Sequence, residues 1–344
     1  MGLEDSTLTT EDALAPLVDS FSRRITYLRL SVTDRCDLRC AYCMPERPVF
    51  SPKSGILTLE ELESIARVFV KRGVRKIRLT GGEPLGRRNI MALVEGLSRM
   101  LDEGALDELT LTTNGTRLAA YAPALKAAGV KRINVSLDTL DRVKFAEIAR
   151  ADALRSVLDG IDAAQAEGIK VKINTVALRN RNIDELPALI EWAHGRGMDL
   201  TLIEVMPLGE VEEDRGDQFT PLSNVRKDLE SRWTFTAEEY RTGGPARYFR
   251  IKETGGRVGF ITPLTANFCD GCNRVRVTCS GELFMCLGRR SKVDLRAAYR
   301  NDGEAGVSAA LDEAMRLKPL GHNFEGVYDG AEPGPERFMA ATGG

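Results

Sequence analysis

Residues 27–45 read YLRLSVTDRCDLRCAYCMP. A β-prone, largely apolar run leads directly into Cys36, Cys40 and Cys43, with three residues between the first two thiols and two between the second pair. A structural zinc ion asks for four ligands in a closed tetrahedron, and no fourth cysteine or histidine lies nearby in the chain. Three thiolates in one short loop fit an iron–sulfur cube better. Such cubes normally take four thiolates, so three leave one iron open to bind something else. The strand in front of the loop is the first beat of a repeat that runs to about residue 206.

Residues 58–73 have helical periodicity, opening on Thr58 with Glu61 three residues on and closing at Gly73. That is a capping box and a glycine stop. Strands are expected at 74–82, 106–115, 130–138, 169–178 and 198–209. Helices are expected at 89–101, 121–129 and 183–197, and in the stretch leading to Gly168. Strands alternating with helices through short links mean a parallel sheet. Six such units predict an α/β fold, an incomplete (β/α)6 TIM-like barrel, over 25–209. Beyond 209 the rhythm breaks. Residues 232–285 read as short strands with Gly-rich turns, so 210–330 is expected to form a separate, smaller α+β module. Residues 1–24 are expected to be a flexible leader, and 331–344 a Pro/Gly-rich tail too small in its side chains to form a helix. The start also matches the Met-Gly-x-x-x-Ser myristoylation pattern, but Glu4 and Asp5 crowd Gly2 and no polybasic patch follows.

Composition excludes several classes. The net charge is −2 over 344 residues, which predicts no nucleic-acid partner. No run approaches 18 apolar residues, which predicts no membrane span. Seven cysteines in a large chain without a signal peptide indicate metal sites in a reducing compartment, hence the cytoplasm. The only histidines are His194 and His322, a poor supply for imidazole acid–base chemistry.

In a (β/α) barrel, chemistry gathers at the C-terminal ends of the strands. Polar motifs stand there: SVTDRC, LTGGEP, LTTNG, VSLD and IEVMP. The run GGEPLGRR approaches a phosphate-binding loop, but Arg87 and Arg88 occupy the Lys and Ser/Thr positions and Pro84 removes a donor, so that reading fails. The second cysteine group is FCDGCNRVRVTCSGELFMC, residues 268–286. Cys269, Cys272 and Cys286 can hold a second cube, with Cys279 either a fourth ligand or a spare thiol. Arg274 and Arg276, two apart on a strand, share one face, and arginine forks suit phosphate.

The Cys-x3-Cys-x2-Cys loop and GGEP (81–84) together resemble the radical S-adenosylmethionine superfamily. The wider set, from YLRLSVTDRCDLRCAYCMP through IRLTGGEPL, LTTNG, INVSLD, VKINTV, IEVMP and FCDGCNRVRVT to the final Gly-Gly, resembles the GTP 3′,8-cyclase family. That resemblance implies two [4Fe–4S] clusters, one for S-adenosylmethionine and one for the guanine of GTP. It places S-adenosylmethionine on Tyr42, Gly82, Ser136 and Met206. It places GTP on Arg29, Arg78, Thr112, Lys172 and the run Arg274, Val275, Arg276. Arg29, Arg274, Arg276, Gly343 and Gly344 are implied to take part in catalysis, the tail by reaching into the active site. Charges on Arg29, Arg78 and Lys172 would be costly to bury alone, and a triphosphate would partner them. The implied reaction takes the 3′ hydrogen of the ribose and joins C3′ to C8, giving (8S)-3′,8-cyclo-7,8-dihydroguanosine triphosphate, the first step of molybdenum cofactor biosynthesis. Implied partners are an external electron donor and a downstream cyclic pyranopterin monophosphate synthase, with a homodimer as one allowed assembly. Two features depart from the family pattern: the tail reads MAATGG, and Cys279 stands where a small polar residue is expected. A radical peptide-modifying enzyme with an auxiliary cluster, and an iron–sulfur electron carrier without turnover, are the alternative readings.

Overall fold

Six barrel strands form where the alternation places them: β1 (Tyr27–Ser31), β2 (Lys76–Thr80), β3 (Glu108–Thr113), β4 (Arg132–Ser136), β5 (Lys170–Ala177) and β6 (Asp199–Glu204). They come from a computed structural model that describes residues 14–209, 211–212, 215–324 and 334–343. All five neighbouring pairs among them are parallel. Leu28 and Leu30 of β1 turn outward into the main core, whereas Tyr27 and Arg29 line the interior. That is the two-residue period of a strand with one face under helices and one in a lumen.

The connecting helices follow local rules. Helix Leu59–Lys71 starts from Thr58, whose Oγ1 accepts from Glu61 N at 3.2 Å while Glu61 Oε2 accepts from Thr58 N at 2.8 Å. Its apolar stripe, Leu62, Ile65, Ala66 and Phe69, is buried. Gly73, in the left-handed region at φ +91°, lets the chain turn into β2. The stretch leading to Gly168 is two helices, Arg142–Ala149 and Leu154–Ala166.

The C-terminal module is present, and it continues the barrel sheet rather than building a sheet of its own. Its strands are β7 (Phe235–Glu238), β8 (Arg247–Ile251), β9 (Arg257–Ile261), β10 (Arg274–Val277), β11 (Glu282–Phe284) and β12 (Lys292–Asp294). The sheet order is β12-β11-β10-β1-β2-β3-β4-β5-β6-β9-β8-β7. β10 lies parallel to β1, and β9 parallel to β6, so the module flanks the six strands on both edges. The physical cause is edge pairing: β1 and β6 would otherwise present unpaired backbone. Glu204, fully buried at the end of β6, seals the joint by accepting from Leu222 N at 3.2 Å and Leu264 N at 3.0 Å. A helix from Leu295 to Leu317, interrupted at Asp302–Gly303, was not expected. It lies along the first barrel helix through Arg300–Glu61 and Lys71–Glu304 ion pairs.

Two other expectations are corrected. The leader is ordered from residue 14 onward: Leu17 is buried, its N–H donates to Arg72 O at 3.0 Å, and its carbonyl accepts from Ile25 N at 2.9 Å. Leu17 and Ile25 give the segment apolar surface to bury. The remainder of the leader, with the Gly2 pattern, lies outside the described residues. The tail does form a helical turn, Met339–Thr342, because Ala340 and Ala341 have the best helix propensity of any residue. No helix among the described residues is long and apolar enough to cross a membrane.

Candidate functional site

The loop after β1 is shaped by the two glycines after β2. Gly82 N donates to Thr33 O, and Glu83 N to Arg35 O, each at 2.8 Å. A Cβ on Gly81 would strike the Thr33 carbonyl, and one on Gly82 the Arg35 carbonyl and Cys36 N. Only glycine permits this approach, and it fixes where Cys36 begins. The loop is braced further by Arg39 N to Ala149 O and Ala41 N to Ile148 O, both 2.9 Å. Asn114, from the LTTNG motif, donates its amide to Cys36 Sγ at 3.6 Å. Cys36, Cys40 and Cys43 then line one cavity together with Tyr42, Gly82, Ser136 and Met206, the residues assigned to S-adenosylmethionine.

Two buried carboxyl groups, Asp138 and Glu83, stand behind the residues that line this cavity. Tyr42 donates its hydroxyl to Asp138 at 2.8 Å, and Val176 N donates to the other oxygen at 2.8 Å. Burial pushes the Asp138 carboxyl up to about 6. Glu83, buried beneath the loop, accepts from Leu85 N at 3.0 Å, Thr113 Oγ1 at 2.8 Å and Asn114 N at 2.7 Å. Burial outweighs these bonds and raises Glu83 to about 7. Burial likewise takes the Cys36 thiol up to about 12 and Cys43 to about 11, with Glu83 and Asp138 respectively adding to it. Bare thiols in this setting stay protonated; binding iron deprotonates them.

A second cavity occupies the barrel interior, with about 1100 Å³ of atom-free space including its mouth. Cys269, Cys272 and Cys286 line one side of it, and Arg29, Arg78, Lys172, Arg274, Val275 and Arg276 are also part of its wall. Val275 belongs to the main core as well. Register explains the row of cations. Arg29 stands opposite Arg276 of β10 and opposite Arg78 of β2, so three guanidiniums project from adjacent strands at one level. Burial, then Arg29 and Arg274, hold Arg276 well below the usual arginine value. Burial, then Arg78 and Arg132, do the same to Lys172. Burial brings Arg29 down to about 10, Arg78 and Arg274 adding to it while Tyr27 opposes. Such a set of crowded cations is stabilised by an anion.

Met206 and Asn174 line both cavities, so the two meet there. Thr112, assigned to the nucleotide, faces the cysteine-loop cavity but accepts from Arg78 Nη1 at 3.0 Å, which links it to the interior row. Cys279 does not join the second triad: it is buried outside that cavity and its carbonyl accepts from Leu57 N at 2.8 Å. The tail reaches the junction. Gly343 O accepts from Arg276 Nη1 at 2.5 Å, and a Cβ on Gly343 would strike the side chain of Thr80. Gly344 lies outside the described residues.

Sequence reading missed Tyr27, Lys76 and Asn134, although each sits two positions before an assigned residue and so shares its face. Arg78 Nε donates to Tyr27 OH at 2.5 Å. Burial would raise the Tyr27 phenol, but Arg78, Arg29 and Lys76 outweigh it and bring it to about 7. Lys76 and Arg132 share Glu108 at 2.6 Å each.

Among the described residues no three His, Cys, Asp or Glu side chains converge on one metal-ion position. An iron–sulfur cube does not require that, since each thiolate binds its own iron. Three thiols facing a shared cavity are a donor set that fits a cube at either triad.

Residues 30–193 match the family profile described as Radical SAM superfamily, and 198–324 that described as Molybdenum Cofactor Synthesis C. The chain is similar to a GTP 3′,8-cyclase of Erythrobacter litoralis, 61% identical over 333 residues, which are 96% of this chain and 100% of that protein. It is similar to one of Agrobacterium fabrum, 58% identical over 343 residues, 99% of this chain and 98% of that one. Among solved structures, Streptococcus suis SuiB bound to S-adenosylmethionine shares the fold at a TM-score of 0.60 and 16% identity, covering 91% of this chain and 76% of that one.

Proposed function

This chain belongs to the GTP 3′,8-cyclase family of radical S-adenosylmethionine enzymes, and we propose that its two cavities divide that reaction between them. The enzyme acts on GTP in the first step of molybdenum cofactor biosynthesis, using an iron–sulfur cluster and S-adenosylmethionine. When bound, these two supply the hydrogen-abstracting chemistry. Cys36, Cys40 and Cys43 hold that cluster, with Tyr42, Gly82, Ser136 and Met206 orienting S-adenosylmethionine beside it. Arg29, Arg78, Lys172, Arg274 and Arg276 hold the triphosphate, with Thr112 and the backbone around Val275 completing the nucleotide site. Cys269, Cys272 and Cys286 would hold a second [4Fe–4S] cluster, which would supply a binding point for the guanine. The tail orients Arg276 through the Gly343 carbonyl and excludes water from the junction.

One observation carries this reading: the Arg276–Arg29–Arg78 row, three guanidiniums at one register beside a cysteine triad, Arg78 buried and the other two half-buried. A polyanion with an aromatic base matches it. Positioning accounts for the protein's share of the rate. Thiolate-held clusters call for an external one-electron donor, and the product passes to cyclic pyranopterin monophosphate synthase. Seven unpaired cysteines support a reducing cytoplasm. Exposed Val18, Phe21, Leu317 and Leu320, brought together where Ser20 Oγ donates to Arg316 O, support a homodimer through that face.

Anaerobic incubation with a chemical reductant, S-adenosylmethionine and GTP tests the reading. We expect 5′-deoxyadenosine and the cyclised nucleotide to form together and only with GTP. 5′-Deoxyadenosine formed equally without GTP, with no new nucleotide, would remove GTP from the site.

A further inference from the structure

Lys318 is buried, yet it carries a charge that the proposed reaction does not use. It caps the helix that ends at Leu317. Its ammonium has three N–H groups, and three acceptors surround it: Met285 O at 2.7 Å, Arg274 O at 3.2 Å and Cys272 Sγ at 3.7 Å. Two of those are carbonyls beside the second triad, one at the start of β10 and one just after β11. The third is a sulfur of the triad itself. Arg274 and Arg337 also approach, Arg337 donating to the Cys286 carbonyl at 3.3 Å, but among the described residues Lys318 is the cation in hydrogen-bond contact with a thiol of this triad.

The segment carrying Lys318 is held from the other end of the chain. Arg23 donates to Pro319 O at 2.7 Å, Leu320 O at 2.6 Å and Cys269 O at 2.7 Å, while Asp19 anchors its Nε at 2.7 Å. One guanidinium therefore ties residues 319–320 to the backbone of a triad cysteine. The first triad has a different donor on sulfur: the neutral amide of Asn114, 3.6 Å from Cys36 Sγ. A cation on a cluster ligand favours the more negative, reduced state, and net charge and hydrogen bonds to sulfur are the levers that set cluster potentials.

We propose that Lys318, aimed at Cys272 by the Arg23 clamp, is a positioning residue that sets the reduction potential of a cluster on the second triad above that of one on the first. This rests on the two-cluster reading given above. The potentials separate cleanly in two variants of the full chain, one with Cys36, Cys40 and Cys43 replaced by Ala and one with Cys269, Cys272 and Cys286 replaced. Each is reconstituted anaerobically and titrated with a redox mediator while its absorbance and paramagnetic resonance are followed. In the first background, Lys318→Met is expected to lower the one-electron reduction constant about tenfold, which is about 59 mV. Lys318→Arg should restore most of it, and Arg23→Gln should shift it the same way by less. Lys318→Met in the second background should leave the first cluster's potential unchanged. An unchanged second-cluster potential in Lys318→Met overturns the proposal. Loss of the cluster in both Lys318→Met and Lys318→Arg also overturns it, because the lysine would then be only a structural prop; loss in the Met variant alone supports a need for charge. A second triad that takes up no iron at all overturns the two-cluster reading, and this inference with it.

Discussion

The two cysteine triads differ in spacing, Cys36, Cys40 and Cys43 lying in one short loop while Cys286 stands well beyond Cys269 and Cys272, and they are set in different surroundings. Each presents three thiols to a cavity, and each follows or flanks a strand of the same sheet. Around the first stand Glu83 and Asp138, and a neutral amide touches its sulfur. Around the second stand Lys318, Arg274 and Arg23; burial raises the Cys272 thiol, but these cations outweigh it and leave it below the ordinary value, whereas burial still holds Cys286 above it. An acidic setting suits a strongly reducing centre, and on the proposed reading the basic one would suit a centre that meets an anionic nucleotide. The same three-thiol donor set can therefore serve different tasks, because charge within a few ångströms sets the behaviour of a thiolate.

Removing either triad breaks the comparison outright. Replacing Cys36, Cys40 and Cys43 with Ala is expected to abolish 5′-deoxyadenosine formation while keeping roughly half the iron. Iron analysis and absorbance check this; full retention, or complete loss in a folded protein, would contradict two independent sites.

The acidic character of the first site has a pH signature in the metal-free protein. Glu83 lies at about 7 folded against 4.5 ordinarily, and Asp138 at about 6 against 3.8. A carboxyl raised on folding binds more protons in the folded state, so stability is highest below its unfolded value and falls as pH rises through the folded one. Between pH 4.5 and about 7 the loss from Glu83 is on the order of 3 kcal/mol. Urea midpoints across that range should fall in the parent and flatten in Glu83→Gln.

The tail joins the two sites, and Gly343 tests that junction. Its φ of +76° and its contact with Thr80 both disfavour a side chain. Gly343→Ala is expected to slow cyclisation about 100-fold while both clusters and S-adenosylmethionine binding survive. A rate equal to the parent's would detach the tail from the mechanism.

The smallest expected effect lies in the arginine row that lines the second cavity. Arg78→Gln should weaken GTP about tenfold and leave guanosine nearly unchanged, since a charged hydrogen bond contributes about 1.5–3 kcal/mol. GTP affinity should also decline with ionic strength. Calorimetry with both ligands at two salt concentrations measures this, and equal losses for both would move Arg78 off the triphosphate.

Much of this was legible in the chain. Six barrel strands follow from alternation, and the first barrel helix follows from Thr58, Glu61 and Gly73, because periodicity and capping act over a few residues. Tyr27 and Lys76 were legible too, two places before Arg29 and Arg78, but were not read as part of the site. The long helix beyond β12 gave less warning, since Asp302 and Gly303 interrupt its pattern.

By itself the sequence determined which residue types occur in each segment: two cysteine triads, glycines where a loop must pass, arginines at alternate positions of a strand. Tertiary structure alone decided which of them meet. β10 pairs with β1 although some 250 residues separate them, and that register sets Arg276 beside Arg29. Gly343 finds Arg276 across 67 residues, and Lys318 finds Cys272 across 46. Local propensity carries no information over such distances. What brings these groups together is the pairing of open sheet edges and the burial of apolar faces, which reward one arrangement of the whole chain rather than any segment of it.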